Sequence, residues 1–313
     1  MNEDEALACH AHGQAHQAEG KHDEALRDFE RASAFFEHHD TRSPDLANIL
    51  GDQADSLLEL CRYSEAERLA RRAVAILGPI QDLLDAETRG VLMPRAYGLH
   101  GRALRELGRY EEAEGPLKAA IHEAEQAFGH EHPQVANELN NYGILCKYWG
   151  KFEEGERTYR RASGILEAEF GKDSLETATL YHNLGGLEHA RGDYLKGEPL
   201  GRKAYEIRRA ALGDEHLATL ADAVAWGGLL DGLERYVESI PIYRRALAVY
   251  EEHFGHDHFE VAATLNNLGL AYASQGHVEE GRAQLERCLA IKRKLFSDDH
   301  PEVKLTRENL SSL

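Results

Sequence analysis

The sequence predicts an all-α protein, a solenoid of stacked helix pairs, and three observations carry that prediction. A phrase recurs at a fixed interval. His132-Pro133, Asn140-Asn141-Tyr142-Gly143, Gly150-Lys151-Phe152 and Arg161-Ala162 lead, 42 residues on, to Asn183-Leu184-Gly185, Gly192-Asp193-Tyr194 and Lys203-Ala204. Two further steps reach His258, Asn266-Asn267-Leu268-Gly269, Gly276 and Glu280-Gly281. A period in this range marks supersecondary units that bury their apolar faces on one another. Apolar residues within a unit recur every three or four positions, the helical spacing. Glycine and proline stand where such helices would stop and start.

The elements follow in order. The residue two after the turn glycine is aromatic or a substitute in every copy: His22, Tyr63, Tyr110, Phe152, Tyr194, Tyr236 and Val278. A small residue closes the phrase at Ala32, Ala73, Ala120, Ala162, Ala204, Ala246 and Cys288. These markers give seven units, roughly 3–42, 43–84, 85–131, 132–173, 174–215, 216–257 and 258–299, in a single domain over 1–313. Between the second and third units the period gains five residues, with Gly78-Pro79, Gly90 and Pro94 inside, which predicts a kink or a longer loop. In the fourth unit Val135, Leu139, Tyr142 and Cys146 line one helix face. Pro133 opens that helix and Gly150 ends it. A second helix follows from about Glu153 to Phe170, closed by Gly171. The turn between them is two or three residues long, so the two helices are antiparallel neighbours. In the sixth unit Glu234 replaces the turn glycine. Gly227, Gly228 and Gly232 fall inside its first helix, each costing roughly 1 kcal/mol against alanine. Gly227 holds the place of Gly143 and is expected to serve close packing; Gly228 and Gly232 have no such role, so this helix should be the softest. His300-Pro301 begins an eighth copy that stops after one partial helix, Glu302 to Leu313.

The net charge of −19 argues against a phosphate-backbone partner and suits a basic one. No stretch approaches the roughly 20 apolar residues of a membrane span. The acidic start, Asn2-Glu3-Asp4-Glu5, predicts no secretory signal. Cys9, Cys61, Cys146 and Cys288 are widely spread, at core or small-residue positions of the repeat. They read as buried thiols of a reduced, cytoplasmic protein.

Leu139, Gly143, Gly150, Phe152, Gly155, Tyr159 and Ala162 resemble the tetratricopeptide repeat. The Asn-Asn-Leu-Gly, Gly-x-Tyr-x-Glu and Gly-x-x-His-Pro phrases are similar to the 42-residue variant of kinesin light chains and many bacterial proteins. The resemblance covers essentially the whole chain. It implies a right-handed solenoid whose first helices line a concave, peptide-binding groove. Kinesin light chains carry a heptad coiled coil before their repeats and this chain has none, so a stand-alone bacterial-type adaptor is expected.

By analogy with that geometry, the groove positions include Asp52, Asp55 and Glu59 in the second unit and Arg95, Gly98, Leu99, Arg102, Arg105 and Glu106 in the third. The fourth gives Asn137, Asn140, Asn141, Ile144, Lys147 and Tyr148; the fifth gives Thr179, His182, Asn183, Gly186, His189 and Ala190. Gly228, Asp231, Gly232, Asn266, Asn267 and Leu270 complete the set. Charges over these positions nearly cancel, with a basic middle and an acidic N-terminal end. An asparagine amide offers both a donor and an acceptor, so it can pair with a peptide backbone. The resemblance implies that role for Asn141, Asn183 and Asn267 as a ladder. Arg102, Arg105 and Lys147 would receive carboxylates. Gly186 and Gly228 share one groove position, where missing side chains would open a pocket beside Trp226 and Tyr181.

Other constellations are weaker. His12 and His16 lie four apart, the spacing of two metal ligands, but at core-type positions and without a visible third ligand, so no metal is expected. His182 and His189 share a helix face without an evident nucleophile or oriented carboxylate. The Arg-Arg pairs at 71–72, 160–161, 208–209 and 244–245 read as a solvated ion-pair surface. No glycine loop for a nucleotide is present. The expectation is a non-enzymatic scaffold without cofactor, holding an extended, acidic peptide over Arg95, Arg102, Arg105, Asn137, Asn140, Asn141, Lys147, His182, Asn183, Gly186, Gly228, Asn266 and Asn267. One alternative is self-association through the C-terminal end, where Leu305, Leu310 and Leu313 lie on an incompletely capped helix. The other is an enzyme using the groove histidines.

Overall fold

The computed structural model describes residues 2–313, and every regular element among them is helical: fifteen α-helices, one short 3-10 helix and no strand. The chain forms a helical-repeat solenoid with two compact units, one through Ile165 and one from Leu166. No helix is long and apolar enough to cross a membrane.

The first unit contains α1 (Glu3–Ala18) and α2 (His22–His39), α3 (Pro44–Glu59) and α4 (Tyr63–Leu77), α5 (Ala86–Glu106) and α6 (Tyr110–Phe128), α7 (Pro133–Trp149) and most of α8 (Phe152–Phe170). Each pair turns on a residue with left-handed backbone: Gly20, Cys61, Gly108 and Gly150, at φ 74, 58, 72 and 77°. The next N–H then bonds back across the turn, Lys21 to His16, Arg62 to Leu57, Arg109 to Leu104 and Lys151 to Cys146, all at 2.8–2.9 Å. This closure satisfies a carbonyl that the helix end leaves open. Cys61 corrects an expectation: it is not a core thiol but stands exposed at the turn, in a conformation that costs any residue with a Cβ. Cys146 is buried as expected.

The longer period between the second and third units is taken up by the six-residue 3-10 helix Gly78–Leu83 and by a lengthened α5 of 21 residues. Gly78 ends α4, but Gly90 and Pro94 lie buried inside α5 and do not break it. Gly90 is a point of close approach, since a Cβ there would stand 2.7 Å from Ala127 of α6. Phe29, Leu46, Ile49, Leu50 and Met93 form one core cluster, and Leu104, Leu117, Tyr142 and Leu145 another. A side chain of this size contributes about 1.5–3 kcal/mol when fully buried. In the α1–α2, α5–α6 and α7–α8 pairs the register is fixed by a glycine on the first helix and a large residue sixteen positions on, while α3–α4 has Ala54 and Ala70 at these places. Gly13 receives Phe29, Gly101 receives Leu117 and Gly143 receives Tyr159, whose ring lies 2.6 Å from where the glycine's Cβ would be.

The second unit holds the last turn of α8, then α9 (Leu175–Arg191), α10 (Tyr194–Leu212), α11 (Leu217–Gly232), α12 (Tyr236–Phe254), α13 (Phe259–Ser274), α14 (Val278–Leu295) and α15 (Pro301–Ser311). Its turn residues are Gly192, Glu234 and Gly276, at φ 81, 60 and 90°. The register device recurs as Gly227 with Tyr243 and Gly269 with Leu285. At Gly185 the partner sixteen on is Gly201, and Leu229 of α11 fills the space left around Gly197 and Gly201. Gly232 also has a packing role the sequence did not reveal, because the ring of Tyr194 occupies the place of its Cβ. Gly228 has none, since a Cβ there would meet His189 only at an ordinary contact distance of 3.5 Å.

The repeated loop histidines cap helices. The Nδ1 atoms of His132, His216, His258 and His300 accept the N–H two residues on at 3.2–3.3 Å. Phe128, Phe254 and Phe296 stack on His132, His258 and His300. Helix α15 docks through buried Val303 and Thr306, and Glu302 accepts from the buried Lys292 at 2.6 Å.

Candidate functional site

A cleft of about 260 Å³ opens on the first unit, walled by α3, α5, α6 and α7. On α5 it is lined by Val91, Pro94, Arg95, Gly98, Leu99 and Arg102, spaced by three or four along one face. Asn137, Glu138 and Asn141 line it from α7, and Asp55 from α3. Arg95, Arg102, Asn137 and Asn141, expected groove residues, therefore share one concavity.

Their charges are partly satisfied within the chain. Arg95 bonds Asn48 at 3.1 Å and pairs with Asp52. Arg102 bonds Asp55 at 3.1 Å and lies 3.7 Å from Glu59. Arg102, expected to receive a ligand's carboxylate, is thus already engaged by the chain's own acids, and so is Arg95. Burial pushes the Asp52 carboxyl up, but bonds from His10 at 2.5 Å and from Arg95 outweigh it and hold the carboxyl below its ordinary value. Arg105, with a side chain 10 % exposed, pairs with Glu106, and its Nη1 has no hydrogen-bond partner. Lys147 lies over the Tyr148 ring, 4.8 Å from its centre. Burial and then the Arg105 charge lower the Lys147 pKa, so two cations share one region with Glu106 as the counter-charge that bonds Arg105.

Glu138 was not among the expected residues. Its carboxylate occupies the space left by Gly98, whose Cβ would sit 2.8 Å from Oε2. Asn141 donates to it at 3.3 Å. Burial raises its pKa to about 7, against the smaller opposing effects of Asn141 and the Arg102 charge. A glycine at a lined position was the available signal, since it leaves room for a neighbour's head group.

The remaining expected residues are dispersed. Asn137 bonds Gln134 on its own helix at 2.9 Å, and Asn140 is half-buried on α7. In the second unit Asn183 and Gly186 are half-buried on α9. Asn266 accepts from Asn309 at 3.0 Å, an amide contact between successive first helices, while Asn267 is half-buried beside it on α13. Trp226 and Tyr181, expected beside Gly186 and Gly228, are engaged with α10: Trp226 stacks on Tyr205 and donates to Glu198, and Tyr181 accepts from Lys203. His182 does have an oriented carboxylate, Asp222 at 2.7 Å, which the sequence missed because it lies forty residues away. Arg208 bonds the same carboxylate at 2.5 Å, so this arginine belongs to a buried network and not to a solvated surface. Thr179 accepts from Arg208 and donates to the Leu175 carbonyl, so its hydroxyl is not offered to the imidazole. His12 and His16 are likewise not core residues. They are exposed and half-buried, and Asp28 of α2 lies 3.1 Å from each.

The tetratricopeptide-repeat model matches residues 4–77, 92–168, 176–252, 223–294 and 260–313. A search of curated protein sequences found no match. Among solved structures, BtubC (BKLC) from P. vanneervenii is 20% identical, with 77% of this chain and 91% of that one covered at a TM-score of 0.57. The apo form of RapI is 13% identical, covering 93% and 98% at 0.69. A Rap protein complexed with Competence and Sporulation Factor is 16% identical, covering 93% and 76% at 0.67. At these identities the likeness is one of fold.

Proposed function

The chain belongs to the tetratricopeptide-repeat family, in general a non-enzymatic scaffold for protein–protein interaction, and from that premise we propose that it holds an extended peptide segment in the cleft of its first unit. The observation that carries this is the convergence of Arg95, Arg102, Asn137 and Asn141 on one concavity. Asn137 and Asn141 present amides that can exchange hydrogen bonds with a peptide backbone. The segment carries an acidic residue, directed at Lys147, whose charge burial and the neighbouring Arg105 disfavour, and at the Nη1 of Arg105, which has no hydrogen-bond partner beyond the Glu106 pair made by its other nitrogens. Lys147 gains most from such a partner, since a carboxylate favours the charged ammonium that burial disfavours. A fold neighbour complexed with Competence and Sporulation Factor supports ligand capture on this architecture.

The test is an array of peptides from the source proteome, probed with wild type, Asn141→Ala and Lys147→Ala. Peptides bearing Asp or Glu should bind wild type, and Lys147→Ala should bind them about tenfold more weakly, the worth of one hydrogen bond to a charged group. Melting temperatures should stay unchanged. Equal binding by all three proteins would remove the cleft from the function.

A further inference from the structure

The pair His12 and His16 on α1 meets Asp28 on α2 outside the cleft, and we propose that these three side chains bind a divalent transition-metal ion of the zinc class. The Nδ1 atoms of His12 and His16 each lie 3.1 Å from the same carboxylate oxygen, Oδ2 of Asp28. The three candidate ligand atoms all lie within 4.8 Å of one another. A tetrahedral ion with ligand distances of about 2.0–2.2 Å separates its ligand atoms by roughly 3.3–3.5 Å. The two nitrogen-to-oxygen separations already approach that value. Closing the remaining separation, between the imidazoles, falls to His12, whose side chain is 68 % exposed and free to turn.

The surroundings suit an ion. His16 and Asp28 are 25 % and 13 % exposed, so two of the three ligands are held by packing. Gly13 between the histidines accommodates the Phe29 ring, which seats α1 against α2 and fixes Asp28 opposite the pair. Arg31 stands 3.6 Å from the other carboxylate oxygen, Oδ1, leaving Oδ2 to the imidazoles. Two histidines four apart on a helix with a carboxylate from a neighbouring element form an imidazole-rich, three-ligand set with an open position for water. Imidazole and carboxylate together select zinc, cobalt, nickel or copper over calcium or magnesium. Bound there, an ion would clamp α1 to α2.

A competition titration of Zn²⁺ against a chromophoric chelator tests this, on the full chain without an affinity tag, paired with Co²⁺ absorption spectroscopy. The expected result is one ion per chain, a four-coordinate cobalt spectrum, and a melting temperature that rises with added Zn²⁺. His16→Ala and Asp28→Asn should each weaken binding at least about tenfold and abolish the rise. His130→Ala, which removes another exposed histidine–carboxylate pair, should behave as wild type. His12→Ala provides a second ligand variant at an exposed position, where folding is not at stake. Wild-type affinity in His12→Ala, His16→Ala or Asp28→Asn, or no Zn²⁺ uptake by wild type, overturns the proposal.

Discussion

At the residue scale, two positions carry backbone strain. Cys61 and Glu234 take the left-handed conformation that glycine supplies at the other helix-pair turns, at φ 58 and 60°. Cys61→Gly and Glu234→Gly should therefore each stabilise the chain, by about 1 kcal/mol, read as a higher urea midpoint at unchanged slope. Gly143→Ala should do the reverse, costing roughly 1–3 kcal/mol, because the new methyl would strike the Tyr159 ring. Glu138 gives a prediction with a sign. Its carboxyl titrates near 7 in the fold, above its ordinary 4.5, so the folded chain keeps a proton that the unfolded chain releases between those values. Stability must then fall as pH rises through that window, with the full cost present above it. Glu138→Gln should flatten the fall and exceed wild type at pH 8 by ~1–2 kcal/mol, a discounted figure because the cleft admits water. Thermal melts at pH 5 and 8 would check both statements. The strain at Glu234 was legible in the sequence, because a glutamate stood where the period demanded glycine. Cys61 was misread at an equivalent place, since cysteine is small and usually buried and so resembled a core residue.

At the element scale, helix ends were legible and helix partners were not. Pro133, Gly150 and Gly171 act on their own backbone, and α7 and α8 begin and end where those residues dictate. Gly90 and Pro94 misled because tertiary packing overrides local preference, and α5 runs through both. The partners of Asp222 illustrate the second limit. A repeat period tells which face of α9 or α11 is inward, but not which carboxylate a given imidazole will find. In the fold Asp222 is almost wholly buried and is shared by Arg208 and His182. Asp222→Ala would strand the Arg208 cation, and chemical denaturation should show a loss of roughly 3–5 kcal/mol. Replacing the two together, Asp222→Leu with Arg208→Met, should recover most of it, since an apolar pair of similar volume carries no uncompensated charge. The cleft was legible in the same partial way: analogy with the repeat family's geometry assigned Arg95, Arg102, Asn137 and Asn141 to a groove, while the pairing of Arg95 with Asp52 and of Arg102 with Asp55 needed the fold.

At the scale of the whole molecule, stability in a repeat array is close to a sum of local terms. The two tryptophans fall one in each compact unit, Trp149 in the first and Trp226 in the second. In single-tryptophan variants, Asp222→Ala should lower the unfolding midpoint reported by Trp226 more than that reported by Trp149. Coincident shifts would show instead that the chain unfolds as one cooperative body. The fit of a glycine on one helix to a large side chain on the next reaches further than stability. A hairpin that fills its own glycine, as Gly143 and Tyr159 or Gly227 and Tyr243 do, carries lock and key on one stretch of gene. Unequal recombination could duplicate or delete such a stretch and leave every remaining lock with its key. The hairpin of Gly185 and Gly201 has no key of its own and borrows Leu229 from the hairpin that follows. The dependence runs one way, because the following hairpin fills its own Gly227 with Tyr243, so a lineage that shortened this array by cutting between the two would leave the Gly185 hairpin without its key.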